Sequence, residues 1–349
     1  MQSSGLDKVL VEVAEQPHPQ LVSLVQATTF GTEGLQYRRL DVQSQIDRFA
    51  EATFFHALSD DKLVGVYILD KRHLQIDGQA LTGYYRGVLA VATHYQGAGV
   101  GKYLTSAART WMSKQAAQRP IVSFGCIDQS NARSLNLLQS GGATSLASLS
   151  MYMMYRQWPR RCCELVSLES VPTEKLRLAA DETYADCRLR DVSASKQSGF
   201  VLHDDGGVAI CACASVTSFQ ITAMGSVATW CTRLFVVPFL PARKRFDPDC
   251  FRYVSFSNVT IRRGCEKLWP RFVSSVLAHH RCHFGAVFVD PHSCLFARLQ
   301  KAQFLPRFFP ASQGSISVVW QAFSDSSTDT ESLIRNGSAT PVHLWPIDA

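Results

Sequence analysis

The spacing of hydrophobic and polar positions changes along the chain, and the change predicts its elements. "KVLVEVA" (8–14) alternates as a strand, and "PQLVSLVQATT" (19–29) has the spacing of a short helix. Residues 31–52 read as helix or loop. "ATFFHAL", "KLVGVYILD" and "ALTGYYRGVLAVA" then read as three consecutive strands with turns at "SDD" and "DG". From Val100 the period becomes three to four. Val100, Tyr103, Leu104, Ala107, Ala108, Trp111 and Met112 define one face of a helix.

"PIVSFGCID" (120–128) follows as a strand. "NARSLNLLQSGG" (131–142) reads as a helix with Asn131 as N-cap and Gly141 as its C-terminal glycine, and "SLSMYMMYRQW" as a final strand. The order is mixed α/β: an antiparallel meander leads into strand, glycine corner, helix and strand.

The second half echoes the first. "VDPHSCLFARLQKAQF" (289–304) lies over "IDQSNARSLNLLQSGG" (127–142) without a gap, Asp290 on Asp128, Ser293 on Asn131 and Leu299 on Leu137. Upstream, "GGVAICACASVTSF" and "RLFVVPF" suit strands. "CEKLWPRFVSSVLAHH" suits the helix that matches 100–118, with Pro270 interrupting or beginning it. These patterns predict two domains of one architecture, 1–158 and 159–349, joined near "RQWPRRCCE". The polar stretch from "SDSSTDTES" onward reads as a surface loop.

Composition narrows the class. With 349 residues, 46% hydrophobic and 18% charged, the chain is globular and large enough for two cores. It has no apolar run near the ~18 residues that span a bilayer and no secretory signal, so the expected compartment is the cytoplasm and no membrane partner is expected. Eleven cysteines in such a chain are expected to be reduced thiols. "HHRCH" (279–283) lacks the second ligand pair of a zinc site, and no metal is expected. The net charge of +6 is spread, with 14 basic against 12 acidic residues in 1–158 and 21 against 17 in 159–349. The clusters at 159, 243 and 262 read as solvated faces, with RNA or an acidic carrier protein as the rival reading.

The candidate chemistry lies in "HYQGAGVGKYL" (94–104). A glycine-rich turn that opens a helix aims backbone N–H groups at one point, beside the positive end of the helix dipole, which suits a phosphate. No Asp or Glu stands between Asp77 and Asp128, whereas Arg86, Lys102, Arg109, Lys114 and Arg119 do. Tyr103 follows Lys102, which breaks the Walker pattern, and the spacing of Gly97, Gly99 and Gly101 does not fit the dinucleotide fingerprint. The residues do match Q-x-x-G-x-G, as Gln96, Gly97, Ala98, Gly99, Val100 and Gly101, directly after the strand "GVLAV".

Over residues 8–158 this resembles the GNAT superfamily of acyl-CoA-dependent N-acetyltransferases. The resemblance implies a mixed central sheet flanked by helices, here duplicated. It implies that acetyl-CoA is the co-substrate, its pyrophosphate held by Gln96 to Lys102 and its pantetheine arm running beside Ala90 and Val91 and near Asn131. It implies direct attack of a primary amine on the thioester, with a backbone N–H near Val91 as oxyanion donor. The family's usual proton-handling groups are missing: the strand before the motif has no carboxylate, and Leu138 stands where many members have a tyrosine. Tyr84 or Tyr85, His94 and Cys126 remain as candidates. The second half has only Gly264 at the corresponding corner, so it resembles a GNAT-like domain without coenzyme A binding that shapes the acceptor site. The expected function is an acetyl-CoA-dependent transferase acting on a small amine. The alternatives are a non-catalytic acyl-CoA sensor or scaffold, and a transferase that uses an acyl group carried on tRNA or a carrier protein.

Overall fold

The computed structural model describes residues 9–31, 35–76, 79–156, 159–184, 186–187, 189–193, 198–224, 247–302, 315–323 and 342–343. Its first half runs β1 (Val9–Ala14), α1 (Leu21–Ala27), β2 (Phe30–Gly31), β3 (Leu35–Arg39), α2 (Val42–Arg48), β4 (Ala52–Ser59), β5 (Lys62–Ile76), β6 (Gln79–Val91), α3 (Val100–Ala116), β7 (Ile121–Asp128), α4 (Ala132–Gln139) and β8 (Thr144–Tyr155). The second runs β9 (Val166–Ser167), α5 (Thr173–Thr183), β10 (Leu189–Asp191), β11 (Ser198–Asp204), β12 (Gly207–Met224), β13 (Phe251–Ile261), α6 (Trp269–His279), β14 (Phe284–Val289), α7 (Cys294–Lys301), β15 (Ser315–Phe323) and β16 (Val342–His343). The "DG" turn, the "RLFVVPF" segment, the 243 basic cluster and the "SDSSTDTES" tail lie outside the described residues.

Local chemistry explains the turns. Asp60 and Asp61 both adopt positive φ, 48° and 60°, the twist a two-residue hairpin needs, and Asp tolerates it. Asn131 caps α4 by accepting from the Ser134 N–H, and Ser293 caps α7 by accepting from Phe296. Ahead of each cap an Asp closes the same turn: Asp128 Oδ1 accepts from the Ser130 N–H and Asp290 Oδ1 from that of His292, both at 2.8 Å. The sequence echo is therefore also a local structural one. Pro270 sits in the first turn of α6, where its missing N–H costs nothing.

The main sheet has the order β1-β4-β5-β6-β7-β15-β8-β14-β13-β12-β11-β9. The two halves meet by exchanging their last strands. β15 pairs with β7 along its whole length and β8 pairs with β14, so each half closes the sheet of the other. Two shorter arms cross as well: β3 pairs with β12 and β10 pairs with β5. On one face α1 and α2 cover a core that includes Phe54, Tyr85 and Phe124 from the first half and Phe288 and Trp320 from the second. On the other, α3 covers Phe55, Tyr67, Tyr84 and Ile121, and α6 and α7 bury Trp269, Phe272 and Leu299 against Phe256 and Val287.

Three local expectations are corrected. Residues 35–39 form a strand rather than helix or loop, because their backbone finds a partner in β12, remote in sequence. Tyr103, assigned to the buried face of α3, is 49% exposed. After α4 the left-handed residue is Gly142 (φ 89°) rather than Gly141, whose missing Cβ leaves room for the Arg109 guanidinium. Among the described residues no helix is long and apolar enough to cross a membrane, no disulfide forms and no three ligating side chains converge as a metal site.

A buried ion triad ties the β10 arm to β5. Arg72 Nε donates to Asp70 at 2.5 Å and its Nη1 to Asp191 at 3.1 Å, while its guanidinium lies 5.7 Å from the centre of the Tyr85 ring. Replacing Arg72 by Met would strand two buried carboxylates. The variant is expected to lose about 3–5 kcal/mol of stability in urea unfolding, and a loss below about 1 kcal/mol would show that the triad does not join the halves.

Candidate functional site

The site begins where two parallel strands part. β6 and β7 pair from Thr82–Ile121 to Tyr85–Phe124 and no further. At the same place β6 bulges against β5, with Gly87 and Val88 opposite Ile68. Beyond the fork β6 keeps its hydrogen bonds to β5 on one side only. The Ala92 N–H donates to Val64 at 2.8 Å, so by antiparallel alternation Ala90 also faces β5, and the N–H and C=O groups of Leu89 and Val91 face the gap. The Val91 carbonyl accepts from Gln96 Nε2 at 3.0 Å. Among the described residues the Leu89 groups and the Val91 N–H meet no protein partner across the gap.

The second half builds the same fork and fills it. β13 and β14 pair in parallel as far as Phe256–Val287, and β13 bulges at Asn258 and Val259 opposite Ala212. Here the open edge is capped by the chain itself. The Tyr184 hydroxyl donates to the Val259 carbonyl, the Ile261 N–H donates to Thr183 Oγ1 at 3.2 Å, and Arg298 donates to the Ile261 carbonyl. Three side chains thus occupy the edge where the first half leaves backbone groups exposed.

At the far end of the open edge stands the glycine corner. Thr93–Tyr95 form a 3-10 turn, Gly97 and Gly99 adopt φ of 83° and 96°, and α3 starts at Val100. The Lys102 and Tyr103 N–H groups both turn back to the Gly99 carbonyl, at 2.9 and 3.1 Å. Among the described residues, the N–H groups of Gly97, Gly99, Val100 and Gly101 donate to no protein acceptor. A Cβ on Gly97 or Gly101 would meet nothing within 4 Å. Gly101 has ordinary helical φ and open space, so neither strain nor packing requires a glycine there. Close approach of a ligand would account for it, and a cradle of N–H groups at a helix N-terminus suits a phosphate. Lys102 is exposed on the first turn, Ala98 is half-buried, and Asn131 is engaged as the α4 cap.

The other cations of the acid-free stretch do not gather at this corner. Arg86 is 8% exposed at the fork, and its Nη2 reaches Ser123 Oγ at 2.6 Å and Gln321 Oε1 at 2.8 Å, Gln321 being supplied by the exchanged strand β15. Gly125 is glycine because the Arg86 stem crosses it: a Cβ there would lie 3.1 Å from that of Arg86. Arg109 packs against the turn after α4.

The candidate proton-handling residues are dispersed. Tyr84 and Tyr85 point to opposite faces, Tyr84 edge-on to Trp111 at 5.2 Å and Tyr85 against Phe124 at 5.5 Å, and both are core residues at 5% and 2% exposure. Burial raises the Tyr84 phenol above its usual range. His94 is exposed beside the glycine corner, and Cys126 is half-buried on β7 just past the fork. The sequence pattern offers Arg86 only as one cation of the acid-free stretch and does not single out Leu89 or the caps Thr183, Tyr184 and Arg298. A bulge and a fork leave no residue signature, although an arginine inside an otherwise apolar strand is a signal.

A fork in a mixed sheet, an open strand edge and a phosphate-type corner at the next helix define the GNAT fold. Residues 19–142 match the family model described as "Acetyltransferase (GNAT) family". Saccharomyces cerevisiae N-myristoyltransferase with bound myristoyl-CoA superposes over 96% of this chain and 89% of its own, with 7% identity and a TM-score of 0.60. A second structure of that enzyme with myristoyl-CoA covers 96% and 85%, with 6% identity and a TM-score of 0.57. A GCN5-related N-acetyltransferase from Anabaena variabilis aligns over 89% of this chain and 72% of its own, with 11% identity and a TM-score of 0.48. No curated protein sequence matches the chain.

Two outcomes test the site. Gly101→Val keeps an allowed backbone and should unfold within about 1 kcal/mol of the unmodified chain, while coenzyme A affinity in calorimetry falls at least tenfold; unchanged affinity would refute the corner as the phosphate site. Tyr184→Phe should cost about 1–3 kcal/mol by leaving the buried Val259 carbonyl without its donor, read by thermal unfolding, and a neutral effect would show that the second edge is not held by this bond.

Proposed function

We propose that this chain is an N-acyltransferase that holds acyl-CoA in its first half, residues 1–158, and passes the acyl group to a primary amine of a small molecule. The second half, 159–349, walls the acceptor side. The observation that carries this reading is the contrast between the two forks: the first pairs an open edge at Leu89 and Val91 with a glycine corner, and the second has its edge capped by Thr183, Tyr184 and Arg298. The family match of residues 19–142 supports the donor class, and acetyl is the acyl group the sequence resemblance implies.

The residues fit the donor in detail. Gly97 to Lys102 would take the pyrophosphate on backbone N–H groups, and the cofactor's amide-bearing arm would complete the strand edge of Leu89 and Val91 as an added strand does. Bound acyl-CoA supplies an activated thioester carbonyl. The amine nitrogen attacks it, the C–N bond forms, the C–S bond breaks, the ammonium proton passes to water and the thiol leaves with a proton. The Val91 N–H, not taken by β5, is the proposed donor to the oxyanion. Of the proton-handling candidates, Tyr85 stands at the fork itself but is buried against Phe124, Cys126 lies on β7 two residues past the fork, and His94 stands at the phosphate end. The site is proposed to work in the cytoplasm and without a metal.

The deciding experiment is acetyl-CoA with a panel of small primary amines, followed by release of free thiol. Amine-dependent thiol release above the hydrolysis background is expected for at least one amine. Tight acetyl-CoA binding without release from any amine would favour the sensor reading. Binding of tRNA or a carrier protein that weakens steeply with salt would favour the carried-acyl reading.

A further inference from the structure

Among the described residues Arg86 is a buried cation without a counter-charge. Its guanidinium is bonded to two neutral groups, the Ser123 hydroxyl and the Gln321 amide, and among the described residues it forms no ion pair. The charged group nearest in effect is another cation, Arg109, and the phenol of Tyr67 beside it is fully buried and kept neutral by that burial. A buried charge without a partner is expensive, and a ligand that supplied the partner would offset that cost.

The fold does not require an arginine at this place. Arg86 is the first residue past the last parallel pair of the first fork, Tyr85–Phe124. In the second fork the last pair is Phe256–Val287, and the first residue past it is Ser257. The same junction, with the same bulge beyond it, is made there by a small neutral side chain.

Its position along β6 says which end of the donor it meets. The open edge runs from the glycine corner, which takes the phosphates, back to the fork. From Ala92 to Arg86 this is about 20 Å of strand. Arg86 is therefore remote from the phosphate cradle and stands where the arm ends and the acyl group begins. Behind it the fork is shut: Tyr85, Phe124 and Ser123 are at most 2% exposed, and the Arg86 stem crosses Gly125. The guanidinium lies against this wall, on Ser123 and Gln321, so a positive charge stands at the closed end of the open edge.

Resting on the reading of this site as an acyl-CoA site, we infer that the donor is the coenzyme A thioester of a short dicarboxylic acid, whose free carboxylate pairs with Arg86. In the transfer the amine nitrogen bonds to the thioester carbonyl carbon as its C–S bond breaks, the thiol leaves with a proton, and the distal carboxylate stays ionised and unreacted.

The test compares succinyl-CoA with butanoyl-CoA, which has the same chain length and no distal charge, and with coenzyme A itself, by calorimetry on the full chain. Succinyl-CoA is expected to bind at least tenfold more tightly than butanoyl-CoA. Arg86→Met, which keeps the stem over Gly125, is expected to abolish that difference. Equal binding, or tighter butanoyl-CoA, in the unmodified protein overturns the inference even if the variant does not fold. Binding of coenzyme A with no succinyl preference overturns this inference alone, whereas no binding of coenzyme A at all overturns the reading of the site together with it.

Discussion

The end of parallel pairing between β6 and β7, at Tyr85–Phe124, is the constraint from which the site follows. Once the strands part, one side of β6 has lost its hydrogen-bonding partner, and buried backbone groups do not stay unpaired at no cost. The chain meets this demand differently in its two halves. In the second, α5 and α7 bring a phenol, a hydroxyl and a guanidinium to the edge and close it permanently. In the first, a single side chain, Gln96, takes one carbonyl, and among the described residues the Leu89 groups and the Val91 N–H meet no protein partner. The two halves thus differ less in architecture than in which atoms complete one strand.

The fork stays open because β7 is held from its other side. β15, contributed by the second half, pairs with β7 from Asp128 to Ile121, so β7 is fixed in the sheet even where β6 has left it. The same exchanged strand supplies Gln321, which receives Arg86 on one end and donates to the Gly141 carbonyl on the other at 2.8 Å. The exchange therefore does two things at once: it makes the sheet continuous, and it fixes the charged wall of the first half with a residue of the second. The β10 arm acts likewise from the opposite end of β5, through Asp191 and Arg72.

The parts legible in the sequence were those whose signal is local. The glycine corner, the start of α3 at Val100, the Asn131 cap and the echo between 127–142 and 289–304 each depend on residues within a few positions of one another. What was not legible depends on backbone pairing between remote segments. "LQYRR" has neither the alternation nor the apolar content of a strand, yet β12 makes it one. The exchange of β8 and β15 leaves no mark in either segment, since a half-buried strand reads the same whichever neighbour it has. The caps at Thr183 and Tyr184 end a helix unremarkable in composition, and their role appears only when the edge of β13 lies beside them. Arg86 was visible as an arginine, but that it has no counter-charge among the described residues is a property of the packed core.

The carboxylate missing from β6 has a near relative one strand away, and its surroundings explain why it cannot serve as a base. Asp70 on β5 stands directly opposite Tyr85 in the register, on the same face of the sheet. Burial pushes its pKa up, while Arg72 and the N–H groups of Glu51 and Ala50 pull it down. Its Oδ1 already accepts from Ala50 at 2.9 Å and Glu51 at 3.2 Å, and its Oδ2 from Arg72 at 2.5 Å. To take a proton from a substrate, Asp70 would have to give up a bond that holds α2's following loop or the triad that holds β10. Stability and proton transfer compete for the same lone pairs, and in this arrangement stability has them. Under the proposed function, proton removal from the amine falls to water and the small groups at the mouth of the fork, and the protein's own contribution is placement: a phosphate end, a strand edge and a wall between which the thioester would be held.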